Sequence, residues 1–508
     1  MSSINNSELI ESQSSISVIF NSDKSPLETS IKRKRPKMYL VAAAALLNGV
    51  CMGLVLGYSS PALSSFRKST SHLHLKADEE DWFGSLMGIG ALIGGFAGGP
   101  LTNYLGRKNT LILCSVLFFF GWDGIPYSNS AELLYFLRIV TGFCSGLVSS
   151  AAPMYIIEIS TPKVRGFLGS CFQLSVVTGV LVAMSLGLYF AWSWLSVCCA
   201  IISILSLLCI LPMPESPRWL VMKNKKIRAI VAIKFLQGDR VDLQKEFENI
   251  ENDIKRQPQG SIGIKDFVDP INWKPFLLSL GLMYFQQFSG VNGIMFYASS
   301  IFESTGNKSI SDNSPVIVAA VQVFATFMAS ILMDKAGRKL LLLICGIGTT
   351  ISLTTMGFYF YFAEIYGKSY QVQYSWISLV SLVVFIASFS IGMGPIPWLM
   401  VAEMVPQRVR SLVSAVATGF NWTLVFIITF NFAKMSIAFH PYGVYWFYAS
   451  NCFLCVLFSW FILPETKGKK LEDIQKLFKR SSLSFRTKST TGNDLLPIIE
   501  NDIIMQSD

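Results

Sequence analysis

About twenty consecutive apolar residues let a helix cross the hydrocarbon core of a bilayer. About twelve such runs occur here, at 39–58, 82–104, 109–127, 132–156, 167–187, 190–212, 275–302, 314–333, 339–362, 376–401, 411–434 and 442–463. No other feature constrains the fold as tightly, because a segment at membrane depth has no water to satisfy its backbone and must bond within itself. The runs predict an all-α membrane protein of twelve transmembrane helices arranged as two pseudo-symmetric six-helix halves. An even number of crossings leaves both ends of the chain on one side.

Composition agrees: 52% of the 508 residues are hydrophobic and only 15% charged, too apolar for a soluble globular chain. The net charge of +10 does not form a nucleic-acid stripe, because the basic residues cluster beside the apolar runs, as in a positive-inside bias. Lys32, Arg33, Lys34, Arg35 and Lys37 precede the first run, and Lys467, Lys469, Lys470, Lys476 and Lys479 follow the last. Both ends are therefore expected in the cytosol of a cell whose plasma membrane the chain spans. The ten cysteines fall almost entirely within apolar runs and read as small hydrophobes rather than a disulfide framework. Cys452 and Cys455 have C-x-x-C spacing but lack a second ligand pair or a nearby histidine, so no metal site is expected.

The expected organisation is a disordered cytosolic tail over 1–37, six spans over 38–212, a cytosolic linker with short helices over 213–274, six spans over 275–466 and a cytosolic tail over 467–508. Three motifs recur in order: NYLGRK (103–108) as DKAGRK (334–339), EISTPKVRG (158–166) as EMVPQRVRS (403–411), and PESPR (214–218) as PETKG (464–468). Their offsets of 231, 245 and 250 residues imply a duplicated half, a pattern typical of transporters.

These motifs carry a resemblance. G-R-K after the second and eighth spans, Arg138-x-x-x-Gly142, Pro153-Met-Tyr155-x-x-Glu158 through Arg165-Gly166, PESPR, QQFSGVN, GPIPW, Asn421-Trp422 and PETKG occur in order. Over roughly 38–475 the chain resembles the sugar-porter branch of the major facilitator superfamily. GYSSPAL (57–63) and DWFGSLMGIGALIGGFAGGPLTNYLGRK (81–108) look most like the insect facilitative trehalose transporters. The resemblance implies the major facilitator fold and a uniporter moving trehalose or a hexose by alternating access.

The chemistry is consistent with that expectation. QQFSGVNGIMFY (286–297) places three amides and a tyrosine inside an apolar run. Amides donate and accept, as sugar hydroxyls do, without the desolvation cost of a charge. On an unbroken helix Asn292 would lie about 120° from Gln286, so the amides can face one cavity only if the helix loosens, and Gly290 and Gly293 permit that. Amides that only tie helices together are the competing reading. By resemblance, Gln173, Gln286, Gln287, Asn292, Trp398 and Asn421 match sugar contacts, and Gln322 stands where relatives often carry Asn. Trp398 ends GMGPIPW (392–398), whose glycines and prolines should break the tenth span.

The resemblance further implies an inter-half gating salt-bridge network of Arg107, Glu158, Arg165, Asp334, Arg338, Glu403 and Arg410, with Asn103 replacing the acid that matches Asp334. Asn307 heads a sequon and is a glycosylation candidate. A proton-coupled symporter needs a membrane carboxylate, yet 39–58 holds no acid and Ser59 occupies the matching position. A non-transporting sugar sensor is disfavoured by the short tail after PETKG. No nucleophile–base arrangement and no phosphate loop is recognisable, so neither an enzyme nor an ATP-driven pump is expected. The expected partners are a sugar and the lipid bilayer, with no cofactor, metal or nucleic acid, and the chain is expected to act as a monomer.

Overall fold

The computed structural model describes residues 36–67, 73–161, 164–238, 242–255, 269–303, 308–406, 408–467 and 478. The first half contains α1 (Pro36–Phe66), α2 (Ala77–Leu105), α3 (Arg107–Gly124), α4 (Ala131–Ile159), α5 (Arg165–Gly187) and α6 (Trp192–Ile210). Three short helices follow: α7 (Pro217–Met222), α8 (Lys226–Gln237) and α9 (Leu243–Lys255). The second half contains α10 (Pro270–Gln287), α11 (Val291–Phe296), α12 (Ala298–Glu303), α13 (Lys308–Ala336), α14 (Arg338–Gln373), α15 (Ser375–Ile391), α16 (Ile396–Met404), α17 (Arg410–Ala438) and α18 (His440–Phe461). No strand occurs among the described residues.

Among the described residues, eleven spans, counting α15 and α16 together, are long and apolar enough to cross a membrane. The seventh crossing is cut into α10, α11 and α12, none of which is counted among these, and it completes twelve. Its cut falls at Gly290, where φ is +83°, and a Cβ there would stand 2.6 Å from the Tyr448 ring. Both the left-handed backbone and the close ring demand glycine. The tenth crossing breaks between Ile391 and Ile396, over the residues that include Pro395. Helix boundaries run past the sequence expectation, furthest where α1 reaches Phe66 and where α14 continues to Gln373 through a kink at Gly367, φ +78°. Hydrophobicity marks where a helix meets lipid, and an aqueous end can stay helical beyond it.

The linker helices lie at the end of the bundle where the chain starts, since Lys37 Nζ sits 5.1 Å above the Phe235 ring of α8. We call this the terminal end and its opposite the far end. The halves meet where α2 packs on α17 and α5 on α13.

Candidate functional site

Each repeated motif builds the same device at the terminal end. Gly106 (φ +103°) and Gly337 (φ +95°) are the single residues that turn α2 into α3 and α13 into α14. Beyond each, two N–H groups without an intrahelical partner point at one carboxylate: Arg107 N and Lys108 N donate to Glu215 Oε1 at 3.0 and 3.0 Å. Arg338 N and Lys339 N donate to Glu465 Oε1 and Oε2 at 3.1 and 3.1 Å. A carboxylate at a helix N-terminus satisfies donors that have no intrahelical partner and opposes the helix dipole.

The arginines then reach sideways. Arg107 Nη2 donates to Glu158 Oε1 at 2.9 Å and Nη1 to Thr102 O at 3.2 Å. Arg338 Nη2 donates to Glu403 Oε1 at 2.9 Å and Nη1 to Met333 O at 3.0 Å. Ser216 Oγ donates to the other oxygen of Glu158, and Thr466 Oγ1 to that of Glu403 at 2.6 Å. Each arginine–glutamate pair thus joins helices of one half, where the resemblance implied links between halves. Arg410 donates to Val405 O at 3.0 and 3.2 Å, and Arg165 is exposed at the head of α5. The side chain of Asp334, on α13, and Asn307 altogether lie outside what is described.

The two carboxylates differ. Burial pushes Glu215 above the usual carboxylate range, against the pull of its backbone N–H partners. Burial also raises Glu465, but the N–H groups of Lys467, Arg338, Lys339 and Thr466 together outweigh it and hold the group below that range.

Midway along the second half, the amides meet. Gln286 Nε2 donates to Gly394 O at 2.6 Å and Met393 O at 3.2 Å, and Asn421 Nδ2 donates to Gln286 Oε1 at 2.7 Å. Gln287 Nε2 donates to Asn421 Oδ1 at 3.2 Å, and Asn292 Nδ2 to Gln287 Oε1 at 2.6 Å. The order is forced: carbonyls only accept, so Gln286 must turn its nitrogen to them, and each amide in turn is fixed by the one before. Asn292 reaches Gln287 because the helix is cut between them. Gln286 and Gln287 are 4% exposed and Asn421 3%, whereas Asn292 is half-buried. The chain ends at Asn292 with Oδ1 and one N–H unspent, and Gln287 also keeps an N–H. A group offering both a donor and an acceptor fits that end.

Gln173, Gln322 and Trp398 stand outside this chain. Gln173 is half-buried on α5, and Trp398 is 37% exposed on α16. Gln322 Oε1 is buried on α13 with no hydrogen-bond partner. An unsatisfied buried carbonyl leaves an acceptor for a bound molecule.

At the far end, bonds cross between the halves. Tyr297 OH donates to Asp81 Oδ1 at 3.0 Å, Ser299 N to Ser60 Oγ at 3.1 Å, and Arg67 Nη1 to Ser300 Oγ at 3.1 Å. Trp82 packs on Phe430 at 4.7 Å beside them, and Glu80 pairs with Arg67. Sequence reasoning passed over Asp81, Ser60, Glu215 and Glu465. The last two could have been found, since they occupy equivalent places in PESPR and PETKG, whereas Asp81 looks like an ordinary charge at the rim of a span.

Near Ser59, Arg138 is fully buried. Its Nη2 donates to Ser59 Oγ at 2.6 Å, Nε to Phe83 O at 3.3 Å and Nη1 to Val55 O at 3.4 Å, with the Phe83 ring 5.1 Å away.

Twelve spans in two like halves, an uncharged polar site at the break of one span and a bonded seam between halves define a membrane transporter of the major facilitator fold. The chain belongs to the sugar transporter family: residues 39–478 match the family described as sugar (and other) transporter. It is 37% identical over 440 residues to the facilitated trehalose transporter Tret1 of Polypedilum vanderplanki, covering 86% of this chain and 87% of that protein. It is also 37% identical to the solute carrier family 2, facilitated glucose transporter member 8 of Mus musculus, covering 89% and 97%. Among solved structures, the proton:xylose symporter XylE bound to 6-bromo-6-deoxy-D-glucose superposes with a TM-score of 0.70 at 25% identity, covering 87% of this chain and 99% of that one.

Proposed function

We propose that the protein is a facilitative transporter that carries trehalose or a hexose down its gradient by alternating access. The observation that carries this reading is the amide chain from the Met393 and Gly394 carbonyls to Asn292. It places paired donor and acceptor groups at membrane depth without a charge, which suits a ring of hydroxyls and suits neither an ion nor an apolar solute. Relatives bear the names of trehalose and glucose transporters. Gln287, Asn292 and Gln322 would meet the sugar hydroxyls, Gln173 would face them from the other half, and the indole of Trp398 would cover an apolar sugar face.

Arg138 separates uniport from proton symport. Ser59 and backbone carbonyls accept from this guanidinium, and serine cannot release a proton in the physiological range. The terminal end would face the cytosol and the far end the exterior of the plasma membrane, with Asn307 glycosylated there and the chain acting as a monomer. The bonds from Tyr297, Ser299 and Arg67 then describe a closed outer gate and an inward-facing protein.

The test is uptake of radiolabelled trehalose and glucose into proteoliposomes holding the purified chain. Saturable uptake of at least one sugar, unchanged when a pH gradient is imposed or dissipated at fixed internal pH, is expected. Uptake that collapses with the gradient would establish symport instead.

A further inference from the structure

The seventh crossing is fastened to α17 on both sides of its cut, by different means. Before the cut, Asn421 of α17 is hydrogen-bonded to Gln286 and Gln287 of α10. Phe432 follows eleven residues later on α17, which brings it to within about 20° of the same helix face. There it meets α11, beyond the cut: a Cβ at Gly293 would stand 2.5 Å from the Phe432 ring. The Tyr297 ring lies flat on Phe432, with centroids 5.3 Å apart and planes 10° from parallel. The Tyr448 ring of α18 is nearly parallel to Phe432 in turn, at 6.3 Å and 7°, and it also occupies the space beside Gly290. Tyr297, Phe432 and Tyr448 are all buried, at 5%, 6% and 1% exposure. A hydrogen bond fixes the direction of a contact, whereas stacked rings fix a plane and can slide within it. So α10 is pinned to α17, and α11 rests on a surface.

We propose that Phe432 is a positioning residue of the far-end gate, whose ring, braced by Tyr448, aims the Tyr297 hydroxyl at Asp81. The proposal takes its functional sense from the transporter reading above. Tyr297 OH donates to Asp81 Oδ1 at 3.0 Å across the seam between the halves. Conjugation keeps a phenol proton close to its ring plane, so the plane limits the directions in which it can donate. Contact with Phe432 also limits the swing about the Cα–Cβ bond that would carry the oxygen off its acceptor. Leucine at 432 would offer no flat face, and the tyrosine would be free to tilt. Glycine at 293 serves the same end, because a side chain there would lift α11 off the ring or push the ring aside. Asp81 is steadied from the same helix: its neighbour Trp82 packs on Phe430 of α17 at 4.7 Å and on Phe426 at 6.2 Å. Helix α17 thus presents both partners of the closing bond to each other, and opening the far end slides Tyr297 over Phe432 as the bond to Asp81 breaks.

The test is a double-mutant cycle read by thiol labelling. Every protein carries Ser299→Cys and is purified in detergent, and the chain without that substitution supplies the background of the ten existing cysteines. Phe432→Leu should speed labelling at position 299 by a maleimide about fivefold or more, the loss of one buried hydrogen bond read as a rate. In the Tyr297→Phe background no hydroxyl remains to be aimed, and the same substitution should change the rate less than about twofold. Phe118→Leu, at a fully buried ring of the first half, should lower the melting temperature without speeding the labelling. Equal acceleration by Phe432→Leu in both backgrounds would make Phe432 a packing residue only and overturn the proposal. An unchanged rate, or the same acceleration by Phe118→Leu, would overturn it as well. If Phe432→Leu yields no folded protein, Gly293→Ala, which sets a methyl against the ring, takes its place with the same expectations and the same overturning results. A parent that transports neither trehalose nor glucose would refute the transport reading alone, because the labelling cycle needs no sugar.

Discussion

Arg338 and Glu403 stand 2.9 Å apart within one half of the molecule, and Arg107 and Glu158 stand 2.9 Å apart in the same relation within the other. The first pair is more exposed, at 12% and 24%, than the second at 4% and 8%. A pair inside one half cannot latch two halves directly. It holds the turn between α13 and α14 against the end of α16, and so sets the surface that this half presents to the other. Glu403→Gln or Arg338→Ala should therefore shift the balance of inward- and outward-facing states without changing the sugar site. Removing one partner strands the other charge. Ligand binding measured from each face of the membrane should show altered side preference with unchanged intrinsic affinity; unchanged preference in both variants would show that the pair serves folding only.

Glu215 and Glu465 do one job in two environments, and their responses to pH should differ in sign. Glu465 is held below its ordinary value of 4.5, so its contribution to stability is present above that value and fades as pH falls through the folded one. Glu215 is raised above 4.5, so its contribution is complete below that value and fades as pH rises through the folded one. At neutral pH, Glu465→Gln should lower the melting temperature more than Glu215→Gln, because the second substitution removes a charge that burial already disfavours. The gap should narrow as the solution is acidified. Equal losses at neutral pH would show that the two caps are equivalent.

Tyr297 and Asp81 form the most buried of the bonds that close the far end, at 5% and 6% exposure. Tyr297→Phe leaves the ring stacked on Phe432 at 5.3 Å, so the fold should survive, but it strands the buried Asp81 carboxylate that closes the far end. The cost of about 1–3 kcal/mol falls on the closed state alone. A cysteine at Ser299 should then react about 5- to 150-fold faster with a membrane-impermeant thiol reagent applied from the far side. An unchanged rate would place the gate elsewhere.

Much of this architecture was legible in the sequence, for reasons that differ from one element to the next. The spans announce themselves because lipid demands apolar length, and the repeated G-R-K and P-E-S/P-E-T motifs reveal two halves because each must turn a helix around one glycine onto one glutamate. The break at Gly290 was legible too, since Asn292 could not otherwise face Gln286. What could not be read is partnership across the molecule. Nothing in GMGPIPW indicates that the Met393 and Gly394 carbonyls accept from Gln286 on another span. Nothing in DWFGS distinguishes Asp81, which meets Tyr297, from an acid that merely marks the rim of a span. Such pairings depend on how separate helices are registered against one another, and a linear pattern holds no record of that.

Gln287 is the buried amide in the chain that keeps an unspent N–H. Its Oε1 takes the Asn292 N–H at 2.6 Å, one of its own N–H groups goes to Asn421 Oδ1 at 3.2 Å, and the other is unspent. Gln287→Ala removes the spare donor and the acceptor that orients Asn292. A bound sugar should lose about 1–3 kcal/mol, the cost of leaving buried hydroxyls short of a partner. That corresponds to an affinity about 5- to 150-fold weaker. Gln287→Glu keeps the size but places a charge at membrane depth. It also turns an acceptor toward Asn421 Oδ1, so it should bind sugar poorly as well. If the chain of amides served only to hold helices together, the loss would appear in expression and melting temperature while folded molecules kept their affinity. Binding of trehalose and glucose to purified Gln287→Ala, set beside its melting curve, separates the outcomes. Weak binding with a melting temperature near the parent's assigns the stretch QQFSGVNGIMFY to sugar recognition, and parental affinity with a lowered melting temperature assigns it to packing.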